Sequence, residues 1–276
     1  MKRQAFVLTL GVVMLSIMVS MGMLISAQAH KARSDGGAGS GNGPGSADGA
    51  ALGKNTAGAY GGSGPAQGEQ TQAGDYRLSG PYTHKNLTIF LVHGKNTIKT
   101  KTFLTLQEAM VQKKVVVYET KSVNELSIQN FSDEDIYVQS GDIVKGGQQD
   151  RMIGVDLIVP ARSGKLPISA FCVEHGRWSG RGNERATQFS SSSDAVATKE
   201  IKLAAKRSNS QGAVWENVKV AQDKLSENVG TRVNSTVSVS SLQLALENSK
   251  VQESADSYIK ALSNIANRGD DVIGYV

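Results

Sequence analysis

The densest run of groups able to do chemistry is Ser140-Gly141-Asp142-Ile143-Val144-Lys145-Gly146-Gly147-Gln148-Gln149-Asp150-Arg151. It sets two carboxylates, an amine and a guanidinium around a glycine pair. Gly146-Gly147 could bring backbone amides close to a phosphate, but no Gly-Lys-Ser/Thr follows and no helix opens directly behind, so a P-loop is excluded. Two readings stay open. In one, the segment is a hairpin turn in which the glycines supply positive φ and Asp150 pairs with Arg151 or a neighbouring amide. In the other it is a ligand-facing loop using Asp142, Gln149 and Arg151. A second run, Cys172-Val173-Glu174-His175-Gly176-Arg177-Trp178, gathers a carboxylate, an imidazole, a guanidinium and an indole at the end of an apolar alternation. There Arg177 and Trp178 could grip an anionic or sugar-like ligand. Asp150 or Glu174 could also act as a general base while Arg151 or Arg177 holds an anion.

Other chemistry is thin. The chain has four histidines. His30 and His84 fall in or beside a glycine-rich stretch, and His93 and His175 have no partner at ligand spacing, so no metal site is expected. No Gly-x-Ser-x-Gly elbow supports a Ser-His-Asp hydrolase, and the serines from Ser190 to Ser193 have no catalytic context. No cofactor motif is present. Cys172, the single cysteine, shares one face of a period-two run with Ile168 and Ala170. That reads as a small buried side chain, with a reactive thiol or an intermolecular bridge as the alternative.

The elements that must position these groups are short. Leu87, Ile89 and Leu91 alternate with Thr88, Phe90 and Val92 as a strand does, and further short strands follow around Val115–Tyr118, Leu126–Ile128, Ile136–Val138, Ile153–Val159 and Ile168–Val173. Thr105, with Glu108 three residues on, marks the capping box of a short helix. Ser179 to Ser193 is polar enough for a long loop or a mobile lid. Beyond it, Val214, Val218, Ala221, Leu225 and Val229 form one helical stripe, and Val251, Ala255, Tyr258, Leu262 and Ile265 form another, with a cap expected at Ser240 and Gln243. Arg268-Gly269 is a suitable helix stop. The fold class is therefore α+β: an antiparallel sheet or sandwich-like N-terminal part with C-terminal amphipathic helices packed on it. Val272 to Val276 opens a further strand, and a strand ending in midstream suggests truncation or a sheet edge completed by another element.

Composition divides the 276 residues into three parts. Lys2 and Arg3 precede an uncharged run from Ala5 to Ile25, and Ala27-Gln28-Ala29 offers a processing site, so residues 1–29 read as a signal peptide, with an uncleaved anchor as the alternative. Lys and Arg at its start keep that end cytoplasmic and send the rest across the membrane. Fifteen of the 30 glycines lie between residues 30 and 80. That stretch reads as a disordered Gly/Ser-rich linker whose role is reach or spacing. Residues 81–276 make one domain. Loss of Lys2 and Arg3 takes the formal charge from +5 to +3. That is mild, and the basic residues do not cluster with aromatics, so nucleic acid is not an expected partner. The membrane enters only through an uncleaved leader.

Taken in order, Gly141-Asp142-x-Val144-x-Gly146-Gly147-x-Gln149-Asp150-Arg151, Leu157-x-Val159-Pro160 and Cys172-Val173-Glu174-x-Gly176-Arg177-Trp178 resemble the ARG and rhodanese-phosphatase-superfamily-associated protein domain. The resemblance runs from Leu87 to Val276. It implies no nameable activity and no catalytic assignment, but directs attention to Asp142, Gln149, Asp150, Arg151, Glu174, Arg177 and Trp178. Family members continue past the position of Val276, so the resemblance also implies a last sheet short of its full complement. The expectation from these readings is an extracytoplasmic, periplasmic or secreted, non-catalytic module binding an envelope ligand or protein. The alternative is a hydrolase-like enzyme acting on an anionic substrate with Asp150 or Glu174 as catalytic carboxylate.

Overall fold

The computed structural model describes residues 71–98, 101 and 103–276. The leader, and the linker as far as residue 70, lie outside the described residues. The described chain begins at Thr71, inside the stretch that composition assigns to the linker. β1 (Thr71–Ala73) and β2 (Tyr76–His84) form a hairpin around Gly74. The glycine-weighted average hides them because only Leu78 is strongly aliphatic between Thr71 and Pro81.

β2 continues to β3 (Leu87–His93), whose odd positions are buried and even ones mostly exposed, as the alternation requires. The last strand of the chain, β13 (Val272–Tyr275), pairs antiparallel with β3 and completes a four-stranded sheet in the order β1-β2-β3-β13. The expected strand at the end is thus a sheet edge, and its neighbour comes from the start of the domain.

The remaining strands build the main body. β5 (Val115–Glu119), β6 (Glu125–Asn130), β8 (Asp142–Gly146), β9 (Arg151–Ile153), β11 (Leu166–Cys172) and β12 (Phe189–Val196) form one antiparallel sheet in the order β12-β8-β9-β11-β6-β5. A bridge between Tyr118 and Gln188, and the Glu119 amide donating to the Thr187 carbonyl at 3.1 Å, bring the two edges together into a nearly closed barrel. Closure protects the edge groups that an open sheet would expose. A three-stranded sheet of β4 (Leu104–Thr105), β7 (Ile136–Val138) and β10 (Leu157–Val159) shares the barrel's core through Ile136, Val138 and Val159. The short helix α1 (Leu106–Val111) has both halves of the Thr105–Glu108 capping box. The interior holds Val117, Leu126, Ile128, Val144, Ile153, Ile168 and Phe189.

Helices cover the outer face. α2 (Lys199–Leu203) runs into a π-turn over Ala204–Ser208, then α3 (Gln211–Val229), α4 (Leu242–Leu246) and α5 (Ser249–Leu262) follow. The buried residues of α3 are Val214, Val218, Ala221, Gln222 and Leu225, so the first stripe is core, packed with Ile143, Met152, Phe171 and Val173 of the barrel wall. The second stripe is also buried, but it divides. Val251 and Ala255 join the main core, whereas Tyr258, Leu262 and Ile265 pack beneath Leu87, Ile89 and Leu91 of the four-stranded sheet. The expected cap at Ser240 is corrected. Ser241 caps α4 by accepting from the Leu244 amide, and Asn248 caps α5, because the chain breaks into two helices where one was expected.

Candidate functional site

The glycine pair makes a turn between β8 and β9, with φ of +111° at Gly146 and +55° at Gly147. The turn folds over Asp150, whose Oδ1 accepts the Gly146 amide at 2.9 Å. Of the two pairings expected for Asp150, the neighbouring amide forms. Arg151 does not pair with it but points the other way, toward Glu119 at 3.4 Å and the carbonyls of Ser122 and Val123. Successive residues of a strand face opposite sides, so Asp150 and Arg151 could not share a partner face.

The two chemical runs do converge. β9 and β11 are neighbours, and the Val173 amide donates to the Asp150 carbonyl while the Asp150 amide donates to Glu174 Oε2 at 3.0 Å. Both carboxylates are fully buried. They are bridged by Arg181, whose Nη1 lies 3.0 Å from Asp150 Oδ2 and 3.2 Å from Glu174 Oε1. Arg177 adds Nε and Nη2 to Glu174 and donates to the carbonyls of Gly146, Gly147 and Ser179. Ser241 donates to Asp150 at 2.7 Å and Ser238 to Glu174 at 2.5 Å. Arg181, from the segment expected as a loop or lid, is the residue the sequence reading missed. The end of that segment is corrected: Phe189 to Ser193 belongs to the barrel strand β12.

Electrostatics follow from this geometry. Burial works to raise the Glu174 pKa, but the donors from Arg177, Ser238 and the Asp150 amide together hold it below the ordinary glutamate value. Burial likewise works against charge on Arg181, yet Asp150, Glu184 and Glu174 hold its pKa above the usual arginine value. Four oxygens of two carboxylates receive donors on every side, and a carboxylate offers about four lone-pair directions. No lone pair is left to take a substrate proton.

The other expected binding residues separate. Asp142 and Gln149 are buried, and Asp142 accepts the Gln139 amide at 2.8 Å. Arg151 is fully buried, with the Trp178 ring 5.5 Å from its Cζ. Trp178 is 48% exposed, yet it covers Arg151 while Arg177 turns to Glu174, so the pair does not act as one grip. Cys172 is buried, and burial pushes its thiol up to about 11, which makes the buried reading hold over the reactive one. Among the described residues no group of three or more His, Cys, Asp or Glu is placed to hold a metal.

Beside the ionic cluster lies an open cleft of about 1120 Å³ between α3, the Arg232–Ser240 segment and the His175–Arg177 turn. Trp215 stands at its wall, with its Nε1 donating to the Glu174 carbonyl at 3.0 Å and its ring edge-on to His175 at 4.4 Å. Ser240 is fastened to the His175 backbone from the other side, accepting its amide at 3.0 Å and donating to its carbonyl at 2.7 Å. The cluster therefore fixes the floor that the cleft opens from.

Comparison with known proteins gives one result. The sequence profile of the ARG and Rhodanese-Phosphatase-superfamily-associated Protein domain matches residues 75–276. No curated protein and no solved structure matches the chain.

Proposed function

Because the chain belongs to the family of ARG and Rhodanese-Phosphatase-superfamily-associated Protein domains, for which no activity follows from the match, we propose from its own geometry that it is an exported binding module of the cell envelope. Its ligand enters the cleft beside Trp215. The single observation behind this reading is the saturation of Asp150 and Glu174 by Arg177, Arg181, Ser238 and Ser241. Groups so fully satisfied hold a scaffold, and Glu174, its pKa held below the ordinary glutamate value, would be a general base poorly matched to neutral pH. The leader and glycine-rich spacer support a domain delivered across a membrane and held at a distance from it.

The cleft suits an anionic saccharide. An indole and an imidazole line the opening, Lys219 pairs with Asp223 at 3.0 Å, and beside Glu216 the polar groups offered to a carboxylate and hydroxyls are Arg232 and Asn234. Trp215 and Trp178 are the two tryptophans of the chain, so Trp178→Phe leaves Trp215 as the single indole reporter. Titration of that variant with oligouronates and peptidoglycan fragments should shift Trp215 fluorescence saturably, and Arg232→Glu should weaken the response at least tenfold, about 1.4 kcal/mol. No shift with either probe, or an equal response in Arg232→Glu, would overturn the reading.

A further inference from the structure

A second constellation lies on the four-stranded sheet, remote in sequence from both runs. Ser79 Oγ sits 2.7 Å from His93 Nε2, and His93 Nδ1 sits 2.9 Å from Asp271 Oδ1. With Nδ1–H donating to the carboxylate, Nε2 carries the lone pair and accepts the serine proton. That is the order of contacts in a Ser-His-Asp triad. Each member comes from a different strand context: Ser79 from β2, His93 from the end of β3, and Asp271 from the residue before β13. Arg77, opposite His93 in the β2–β3 register, reaches Asp271 Oδ2 with Nη2 at 2.9 Å. Tyr82 Oη is 3.2 Å from Ser79 Oγ, and Arg268 lies over the Tyr82 ring at 5.2 Å.

Exposure increases outward from the histidine. His93 is 3% exposed, so its ring is fixed and dry, while Ser79 is half-buried and the Asp271 side chain is 51% exposed. The carboxylate of Asp271 is held below the usual aspartate range by its bonds to His93 and Arg77, and so stays ionised beside the imidazole.

The geometry points to Ser79 as a nucleophile for acyl transfer from carboxylic esters, with His93 as its base and Asp271 as the positioning residue. This inference does not depend on the cleft beside Trp215. Ser79 Oγ forms a bond to the ester carbonyl carbon as its proton passes to His93 Nε2. The tetrahedral intermediate then loses the alcohol, which takes that proton. Water, deprotonated by His93, attacks the acyl-serine, releases the carboxylic acid and restores the Ser79 hydroxyl. Arg77 Nη2 is engaged by Asp271 Oδ2, so it holds that carboxylate in place behind His93 rather than facing the acyl group.

A purely structural relay would make the same hydrogen bonds, so reactivity distinguishes the two. Full-length protein is treated with a biotinylated alkyl fluorophosphonate, which forms a Ser79 Oγ–P bond and expels fluoride. Mass spectrometry should map the adduct to Ser79, and Ser79→Ala should abolish it. Asp271→Asn should slow labelling by about 10²- to 10⁴-fold while the chain still melts cooperatively. Hydrolysis of 4-nitrophenyl acetate should fall in the same order. Absence of an adduct at Ser79 in folded protein, or equal labelling rates in wild type and Asp271→Asn, would overturn the inference.

Discussion

Arg181 stands between Asp150 and Glu174 with 6% of its side chain exposed, and also reaches Glu184 at 3.0 Å. Two buried carboxylates without that guanidinium would repel each other at short range and remain only partly compensated by Arg177. Arg181→Ala is therefore expected to cost about 3–5 kcal/mol, read as a lower urea midpoint at unchanged slope. A cost under 1 kcal/mol would mean that water or a shifted Arg177 replaces the bridge. The same residue scale explains why the expected grip of Arg177 and Trp178 is absent. Neighbours in sequence, they turn to different partners, one to Glu174 and the other over Arg151. Their types announced an anion or sugar site, and their directions gave the anion role to an internal carboxylate.

At the scale of elements, the β8–β9 turn carries the arrangement. Gly147 adopts φ of +55°, and a Cβ there would sit 2.3 Å from Phe189 Cζ, inside the barrel core. Its carbonyl also accepts from Arg177. Gly147→Ala should therefore destabilise by about 1–3 kcal/mol through backbone strain and overpacking together, measured by thermal unfolding. A further effect is expected on the cleft, since a displaced turn releases Arg177. If the substituted chain melts with wild type, the Phe189 ring has room to move and the turn is less constrained than its contacts indicate. α3 supplies the opposite wall by a different device. Gln211, at its first turn, exchanges two hydrogen bonds with the Cys172 backbone at 2.9 and 2.7 Å, which fixes the helix start to the strand end.

At the scale of the whole molecule, the domain closes on itself. β13, at the end of the chain, pairs with β3 from its start, and α5 reaches from the main core to the underside of that sheet. Loop closure over such a separation is slow and adds stability only when both ends are in place. Leu262 is the point of attachment, at 4% exposure against Leu87, Ile89 and Leu91. Leu262→Ala should cost about 2–5 kcal/mol, with hydrogen exchange accelerating in β2, β3 and β13 before it does in the barrel. Uniform acceleration across both regions would show that the sheet and barrel unfold as one unit.

Local sequence determined the two long helices, the Thr105-capped one and most strands, because apolar period and capping chemistry act within a few residues. The stripes from Val214 to Leu225 and from Val251 to Ile265 are buried as their spacing requires, and the Thr105–Glu108 box closes as written. The α+β class and the family follow from the same short-range order. What sequence could not carry is partner choice across long separations. His93 had no partner at ligand spacing, yet Ser79 and Asp271 meet it from 14 and 178 residues away. Glu174 was a candidate base until Arg181, seven residues on, folded back beneath the turn. Residue types announce which charges and hydroxyls exist. Only the sheet register and barrel closure decide which of them face each other, and in a low-dielectric interior that facing is what separates a scaffold from a reactive site.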